Sequence, residues 1–218
     1  MIKIIEVEQG SIEWHNERFG SVTGTRFQSA IGAKMNRGNW VLNDKKVQDT
    51  LMAQLISERM SQNEIDDYKN KDMQRGHDLE PLAVSETGKY HGIEFQTCGM
   101  LYNPDIEFFK YSPDAVYFRD GLIVGGAETK CPSGKKHVQY MIEDVVPQEY
   151  FWQVAAPFVL DDQIEFWDFS SFDDRNYERE LFTIRVVRAD VIEWVEPARL
   201  ALREFLDRVN DVHLGLTF

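Results

Sequence analysis

The order of apolar and polar positions predicts helices and short strands that alternate along the chain. Phe182, Ile184 and Val186 alternate with polar neighbours, which is typical of a half-buried strand over residues 181–187. Residues 43–60 instead show apolar positions at helical spacing, so we expect a helix that Asn43 caps. The positions on its apolar face are Val47, Leu51, Met52, Leu55 and Ile56.

Cap and turn residues place the remaining elements. Ser11 is expected to cap one short helix, and Thr23 or Thr25 the next. Residues 32–39 are expected to form a loop, and the polar, acidic residues 61–70 an exposed connection. Further helices are expected over residues 71–90, 148–159 and from 190 onward, and further strands over residues 93–100, 108–111 and 164–169.

The net charge of −13 bears on the choice of partner, because binding to a DNA duplex depends largely on neutralising its phosphates. The acidic excess lies outside residues 1–60, which carry eight basic and seven acidic side chains. A nuclease can have an acidic exterior if basic residues line its substrate channel and metal ions neutralise part of the phosphate charge. The charge therefore does not exclude a DNA-processing enzyme.

Length and apolar content suit a single domain over residues 1–218. Charges at Lys3 and Glu6 interrupt the N-terminal apolar stretch too early for a signal peptide, and no apolar run is long enough to span a bilayer. Cys98 and Cys131 match neither a disulfide framework nor a metal-binding spacing. We therefore expect a cytoplasmic protein with structural thiols and no membrane partner.

A β-hairpin that carries charged side chains is predicted in the middle of the chain. Apolar and aromatic residues at 115–118 form its first strand, and Asp120 with Gly121 favours the turn. Two consecutive glycines allow the return strand to bend or bulge. Glu128 and Lys130 are two residues apart, so in a strand they share one face.

Asp114 lies close to Glu128 if this hairpin closes, so two carboxylates and the ammonium of Lys130 converge. Paired carboxylates beside a core strand repel each other unless a cation lies between them. Their hard oxygens suit Mg²⁺, and a neighbouring lysine can orient an attacking water or stabilise phosphate charge. A lone Glu-x-Lys is more often part of a solvated surface hairpin, but the preceding Ser-Pro-Asp and the following Cys-Pro make this pattern specific.

Pro113 and Asp114, followed by Glu128, Thr129 and Lys130, resemble the motif of the PD-(D/E)xK nuclease superfamily. More narrowly, most of the chain resembles the phage lambda-type alkaline exonucleases, also called the YqaJ-like viral recombinase family. The resemblance implies an α/β (α+β) fold with a PD-(D/E)xK restriction-endonuclease-like core, in which helices flank a central mixed β-sheet. The implied catalytic residues are Asp114, Glu128, Lys130 and Glu80. The three acids and the Thr129 carbonyl are the implied metal ligands, and the lysine is implied to position or activate the water.

The same resemblance assigns contacts with DNA. Trp14, Arg18 and residues 23–25 match the family's N-terminal motif, in which the arginine and a hydroxyl side chain contact DNA phosphate. Gly24 and Thr25 stand where the family more often has Ala-Ser, so a hydroxyl is preserved. The implied DNA-contacting residues are Arg18, Thr25, Arg37, Lys136 and Gln153.

The resemblance implies a metal-dependent, ATP-independent 5′-to-3′ exonuclease. Such an enzyme degrades one strand of linear double-stranded DNA to mononucleotides and leaves a 3′ single-stranded tail. Mg²⁺ is the implied cofactor, for which Mn²⁺ could substitute. The implied partners are double-stranded DNA ends, further copies of the chain in a homotrimeric ring, and a single-strand annealing protein of phage-type recombination. The chain contains no phosphate-cradling glycine motif of the P-loop type, in agreement with ATP independence.

Two alternatives remain open. An endonuclease of the same superfamily, such as a restriction or junction-resolving enzyme, would use the same acids and lysine but cut closed circular DNA. An acidic, non-catalytic interaction protein would retain the fold without the chemistry, although the intact Asp114, Glu128 and Lys130 argue against decay of the site.

Overall fold

Helices and strands alternate throughout the part of the chain that the computed structural model describes, residues 1–61 and 71–217. The strands are β1 (Lys3–Ile5), β2 (Lys34–Asn36), β3 (Asn39–Val41), β4 (Met100–Tyr102), β5 (Lys110–Tyr111), β6 (Ala115–Arg119), β7 (Leu122–Lys130), β8 (Phe166–Phe172) and β9 (Leu181–Val187). The helices are α1 (Ile12–Arg18), α2 (Gly24–Ala30), α3 (Lys45–Ser61), α4 (Lys71–His91), α5 (Gly134–Glu143), α6 (Gln148–Leu160) and α7 (Arg188–Thr217). None of these helices combines the length and the apolar character that crossing a membrane requires.

The central sheet has the strand order β6-β7-β8-β9 and combines both pairing directions. β7 pairs with β6 antiparallel and with β8 parallel, and β9 pairs with β8 antiparallel. The parallel neighbours β7 and β8 are joined through α5 and α6, because parallel strands need a long crossover connection. A mixed sheet flanked by helices confirms the expected fold class.

The hairpin of β6 and β7 has the turn that its sequence favours. Asp120 and Gly121 both adopt positive φ, at 53° and 78°, which is the combination that a two-residue type I′ turn requires. The pairing register shifts between Tyr117 and Phe118, where Val124 is the extra residue of a bulge directly before the two glycines. Beyond the bulge, β7 is buried almost to its end.

Gly126 allows β7 to lie close to both of its neighbours. A Cβ at this position would lie 2.3 Å from the Trp167 ring on β8 and 2.6 Å from the Ala115 carbonyl oxygen on β6. Trp167 is fully buried, so its ring cannot move into solvent. The absence of a side chain at residue 126 is therefore a packing requirement of the strand that carries the predicted acid and lysine.

Different helices cover the two faces of the central sheet. On β8, Phe169 stacks with Tyr150 of α6, with 5.6 Å between the ring centroids. The next residue, Ser170, accepts a hydrogen bond from Thr87 Oγ1 of α4 at 2.8 Å. Successive strand residues point to opposite faces, so α4 and α6 lie on opposite sides of the sheet. α6 also packs against α2 and α7, which places it between the sheet and an outer helical layer.

The start of α3 differs from the prediction. Asp44 Oδ1 accepts hydrogen bonds from the backbone N–H groups of Lys46 and Val47, at 3.0 and 3.3 Å, so Asp44 rather than Asn43 caps the helix. Asn43 adopts a positive φ of 63° instead, a conformation in which asparagine is enriched. Asparagine and aspartate are equally good caps, so their order in the chain could not separate them.

The loop expected over residues 32–39 is largely a second hairpin. β2 and β3 pair antiparallel, and Arg37 and Gly38 form their turn with φ values of 51° and 82°. The prediction failed because the strands are short and exposed and so show no apolar alternation. The connection expected over residues 61–70 lies, after Ser61, outside the described residues.

The strand expected over residues 93–100 is also wrong over most of its length. The segment makes one bridge to the central sheet, between Gln96 and Val116. Regular pairing begins only at Met100, where β4 joins β1 and β5 in a separate antiparallel sheet. The segment therefore connects the central sheet to the separate sheet. Its local sequence does not indicate where the pairing changes from one sheet to the other.

We expect Gly126→Ala to lower the free energy of unfolding by roughly 1–3 kcal/mol, because the new methyl group overpacks β7 against a buried ring and a carbonyl. Gly76→Ala is the matched control, since a Cβ at Gly76 of α4 meets no atom within 4 Å. This control should be stabilised by about 0.5–1 kcal/mol, the usual difference between alanine and glycine in a helix. Denaturant unfolding measures both, and a Gly126→Ala variant as stable as the wild type would contradict the packing described for β7.

Candidate active site

Two side chains from the N-terminal part of the chain fasten the segment that ends in Asp114. Trp14 Nε1 donates a hydrogen bond to Ser112 Oγ at 2.6 Å, and Gln9 Nε2 donates one to the Pro113 carbonyl at 2.7 Å. These bonds fix the backbone immediately before β6. Asp114 therefore enters the site from a defined position.

Asp114 contacts the strand that carries the other two groups of the predicted motif. Its Oδ2 accepts hydrogen bonds from the Thr129 backbone N–H at 2.5 Å and from Thr129 Oγ1 at 2.9 Å. Thr129 lies between Glu128 and Lys130 in β7, and Lys130 Nζ donates a hydrogen bond to Glu128 Oε1. The structure thus brings both acids and the lysine to one end of β7.

Glu128 has only 1% of its surface exposed, and both of its carboxylate oxygens accept hydrogen bonds. Oε2 accepts from Tyr111 OH at 2.9 Å, whereas Oε1 accepts from Gln153 Nε2 at 2.5 Å and from Lys130 Nζ. Burial raises the pKa of Glu128 to about 7, an effect that Lys130 opposes and Asp114 increases. Three donors therefore orient the carboxylate, but it ionises less readily than a glutamate in water.

The same acids keep Lys130 in its charged form. Burial lowers the pKa of Lys130, but the carboxylates of Glu128 and Asp114 raise it by more, so the net shift is upward. Nζ also lies 5.3 Å from the centroid of the Tyr150 ring, a cation–π arrangement. A protonated lysine donates hydrogen bonds but accepts no proton, so the geometry favours positioning of a water over its deprotonation.

Glu80 adds a third carboxylate from α4. The pKa of Glu80 is raised to about 7, chiefly by burial and then by the charge of Asp114; Lys130 opposes this shift and Glu128 adds to it. Electrostatic effects of this kind require the charges to be close. Glu80 also lines the same cleft as Asp114, so α4 brings it to the end of β7 that carries the other acids and the lysine.

Glu80 and Asp114 line a cleft of about 680 Å³, to which α1 also contributes. Trp14 and Arg18 of α1 line the same cleft, and the Arg18 guanidinium carbon lies 4.1 Å from the centroid of the Trp14 ring. The predicted phosphate contact, Arg18, therefore faces the space onto which two of the predicted acids open.

The other predicted DNA contacts are spread over the surface. Thr25 is exposed in the first turn of α2, where its hydroxyl lies 3.3 Å from that of Thr23. Arg37 is exposed at the turn of the β2–β3 hairpin. Lys136 of α5 forms an ion pair with Glu149 at 2.8 Å and lines a separate depression. The structure does not bring these three residues together with the acids. Gln153, in contrast, donates a hydrogen bond directly to Glu128.

Gly24 leaves room for the side chains that hold Glu128. A Cβ at Gly24 would lie 2.7 Å from the Tyr111 ring and 3.6 Å from Gln153 Cγ. Tyr111 is fully buried, so its ring has no free space into which it could move. Glycine at this position therefore fits the local packing.

Sequence reasoning assigned no functional role to Gln9 or Tyr111. Tyr111 directly precedes the Ser-Pro-Asp segment, and this adjacency was the one signal that could have identified it. Gln9 contacts a residue 104 positions away, a separation that no local pattern reports. Both were missed because they act through contacts that only the folded chain creates.

The donor chemistry of the site fits a hard divalent cation. Glu80 and Asp114 line one cleft, and Asp114 contacts Thr129 next to Glu128. A cation between these carboxylates would relieve the like-charge repulsion that adds to burial in raising the pKa values of Glu80 and Glu128. Among the described residues, no three Asp, Glu, His or Cys side chains are already spaced to surround an ion. Binding at Glu128 Oε1 requires the donors Lys130 and Gln153 to shift.

Comparisons with known proteins agree with this architecture. The YqaJ-like viral recombinase domain matches residues 13–159 of the chain. The crystal structure of an alkaline exonuclease, LHK-Exo from Laribacter hongkongensis, superposes with a TM-score of 0.78 and 25% sequence identity over 95% of this chain and 96% of that chain. LHK-Exo in complex with dAMP gives a TM-score of 0.73 and 24% identity, over 95% and 98% of the two chains.

A more distant structure shares the fold. The phage related exonuclease from Haemophilus somnus 129PT gives a TM-score of 0.57 and 13% identity, over 88% of this chain and 95% of that chain. No curated protein sequence matches the chain. The solved exonuclease structures thus support the fold, and the domain match over residues 13–159 supports it independently.

In the absence of metal, we expect Glu80→Gln to gain stability over the wild type as the pH rises. Folding raises the pKa of Glu80 from 4.5 to about 7, so between these values the folded state binds more protons than the unfolded chain. The wild type therefore loses stability from this group as the pH rises through that window, whereas glutamine cannot ionise. Thermal unfolding in a chelator, from pH 4.5 to pH 8, measures the difference in Tm.

Glu86→Gln is the matched control for this experiment. Glu86 lies on the same helix, but the partner that it contacts is the basic Lys89, at 2.6 Å. The Tm of Glu86→Gln relative to that of the wild type should not increase with pH. A Glu80→Gln variant whose Tm relative to the wild type falls between pH 4.5 and pH 8 would contradict the described electrostatics.

Proposed function

We propose, because this chain belongs to the YqaJ-like viral recombinase family, that it is a metal-dependent exonuclease acting on the ends of double-stranded DNA. In this proposal the enzyme degrades one strand in the 5′-to-3′ direction to mononucleotides and leaves a 3′ single-stranded tail. It uses Mg²⁺, for which Mn²⁺ substitutes, and it needs no ATP. The tail serves recombination through a single-strand annealing protein, and three copies of the chain form a ring around the DNA.

The observation that carries the proposal is the convergence of charged groups at the end of β7. Asp114 contacts Thr129, Lys130 contacts Glu128, and Glu80 approaches from the opposite face of the sheet. Three acids beside one lysine, with two of the acids lining a cleft, form a costly arrangement that apolar packing alone would avoid. Perturbed carboxylates of this kind are typical of catalytic sites.

Each residue has a distinct role in the proposed reaction. Asp114, Glu128, Glu80 and the Thr129 carbonyl hold the metal ions with hard oxygen ligands. When bound, divalent ions supply charge neutralisation at the scissile phosphate. The charged Lys130 donates a hydrogen bond to the attacking water or to a phosphate oxygen, where negative charge develops.

The proposed DNA path starts from the cleft shared by Arg18 and the acids. Arg18 contacts phosphate there, and its stacking on Trp14 restricts the side chain before DNA binds. Thr25, Arg37, Lys136 and Gln153 are further contacts in the proposal. Lys136 must leave its ion pair with Glu149 to reach phosphate, and an exposed pair of this kind costs little to break.

End-labelled linear duplex, with and without a 5′-phosphate, tests the proposal in Mg²⁺ without ATP. We expect label to be lost from the 5′ end first and a chelator to abolish the reaction. Lys130→Met should slow hydrolysis by at least about 100-fold, because it removes a preorganised charge at the reacting phosphate. DNA binding, measured separately, should be retained.

Lys136→Met is the matched control, since Lys136 is exposed and lies outside the cleft that contains Asp114. It should weaken DNA binding without removing hydrolysis at saturating DNA. Rapid hydrolysis by the Lys130→Met variant would refute the assigned role. Cutting of closed circular duplex would favour an endonuclease, and an intact linear duplex under all these conditions would refute the nuclease proposal.

A further inference from the structure

We propose that Arg75 is a positioning residue that holds the helix of Glu80 at a fixed distance from the end of β7. The inference rests on the proposed function, because it concerns how Glu80 is held close to the other metal-binding acids. Arg75 lies near the start of α4, five residues before Glu80. It contacts neither DNA nor the reacting atoms in this proposal, and it acts through the helix that it fastens.

The Arg75 guanidinium bridges two segments that follow strands of the central sheet. Nη1 donates hydrogen bonds to the Cys131 carbonyl at 3.1 Å and, less closely, to the Pro132 carbonyl at 3.4 Å. Nη2 donates to Asp173 Oδ1 at 2.9 Å and to Asp174 Oδ1 at 2.5 Å. One side chain thus joins α4 to the residues directly after β7 and β8 with charge-assisted hydrogen bonds, which are the stronger kind.

Arg75 anchors α4 on the N-terminal side of Glu80. α4 runs antiparallel to the two parallel strands, because Arg75 lies beside Cys131 whereas Thr87 lies beside Ser170 on β8. Glu80 lies between these two attachment points, about 7.5 Å along the helix axis from Arg75 at the usual rise per residue. The guanidinium therefore holds one end of the stretch of helix that presents Glu80.

Such an attachment is needed because the acids repel one another. Glu80 and Asp114 line the same cleft, and like charges held close together repel each other. Without a restraint, α4 can relieve the repulsion by moving away from β7, which would open the metal site. The Arg75 contacts oppose this movement, so α4 keeps Glu80 beside the cleft that Asp114 also lines.

Arg175 provides a matched control within the same cluster. Its Nε donates to Asp173 Oδ1 at 2.7 Å, and its Nη2 donates to the Pro132 carbonyl at 3.3 Å. Arg175 thus shares two acceptors with Arg75, but it belongs to the connection between β8 and β9 and not to α4. A purely structural role of the cluster would make the two arginines equivalent, whereas the positioning role is specific to Arg75.

The test measures Tm over a range of Mg²⁺ concentrations, from which linkage gives the dissociation constant of the folded protein for Mg²⁺. We expect Arg75→Met to increase this constant about tenfold, as is usual when a group that orients metal ligands is removed. Arg175→Met should leave it unchanged, even if both variants lower the Tm without metal. Arg75→Lys keeps the charge but not the fork of donors, so it should show an intermediate shift and serves as the second variant if Arg75→Met does not fold.

Hydrolysis of linear duplex at varied Mg²⁺ gives an independent readout, in which Arg75→Met should require about tenfold more Mg²⁺. Equal Mg²⁺ requirements for the Arg75 and Arg175 variants would overturn the positioning role. If the wild type binds Mg²⁺ with this dependence on Arg75 but does not degrade DNA, the positioning role stands and the nuclease proposal falls. A wild type whose Tm does not respond to Mg²⁺ would overturn both.

Discussion

Repulsion among the carboxylates at the end of β7 is the constraint on which the surrounding structure depends. Glu128 is buried close to Asp114 and Glu80, and burial and like charge together raise the pKa values of Glu80 and Glu128 to about 7. A chain selected for stability alone would place apolar side chains at such positions. We infer that the acids are a stability cost that binding of a divalent cation offsets.

Every layer of the fold contributes a contact that keeps this unfavourable arrangement in place. Gln9 fastens the backbone before Asp114, and Tyr111 and Gln153 donate to the two oxygens of Glu128. On the opposite face of the sheet, Arg75 ties α4 to the residues that follow β7. The contacts come from the N-terminus, from β5, from α6 and from α4, so the site depends on the packing of the whole domain around one strand.

The hairpin could be predicted because its turn, its strand period and the two-residue spacing of Glu128 and Lys130 are local properties of the sequence. Glu80 was predicted as a site residue only through the resemblance to a family, since nothing local separates a catalytic glutamate on a helix from a solvated one. Tyr111 and Arg75 were missed because their contacts join residues 17 and 56 positions apart. Such contacts are set by the topology of the sheet, which residue periodicity does not encode.

Anomalous diffraction from crystals of the protein soaked in Mn²⁺ tests the central claim most directly, because it locates the ion without relying on activity. We expect a Mn²⁺ peak in direct contact with carboxylate oxygens of Asp114 and Glu128, with Lys130 displaced from Glu128 Oε1. A saturated crystal that shows no peak between these carboxylates, with Lys130 and Gln153 still bonded to Glu128, would contradict it.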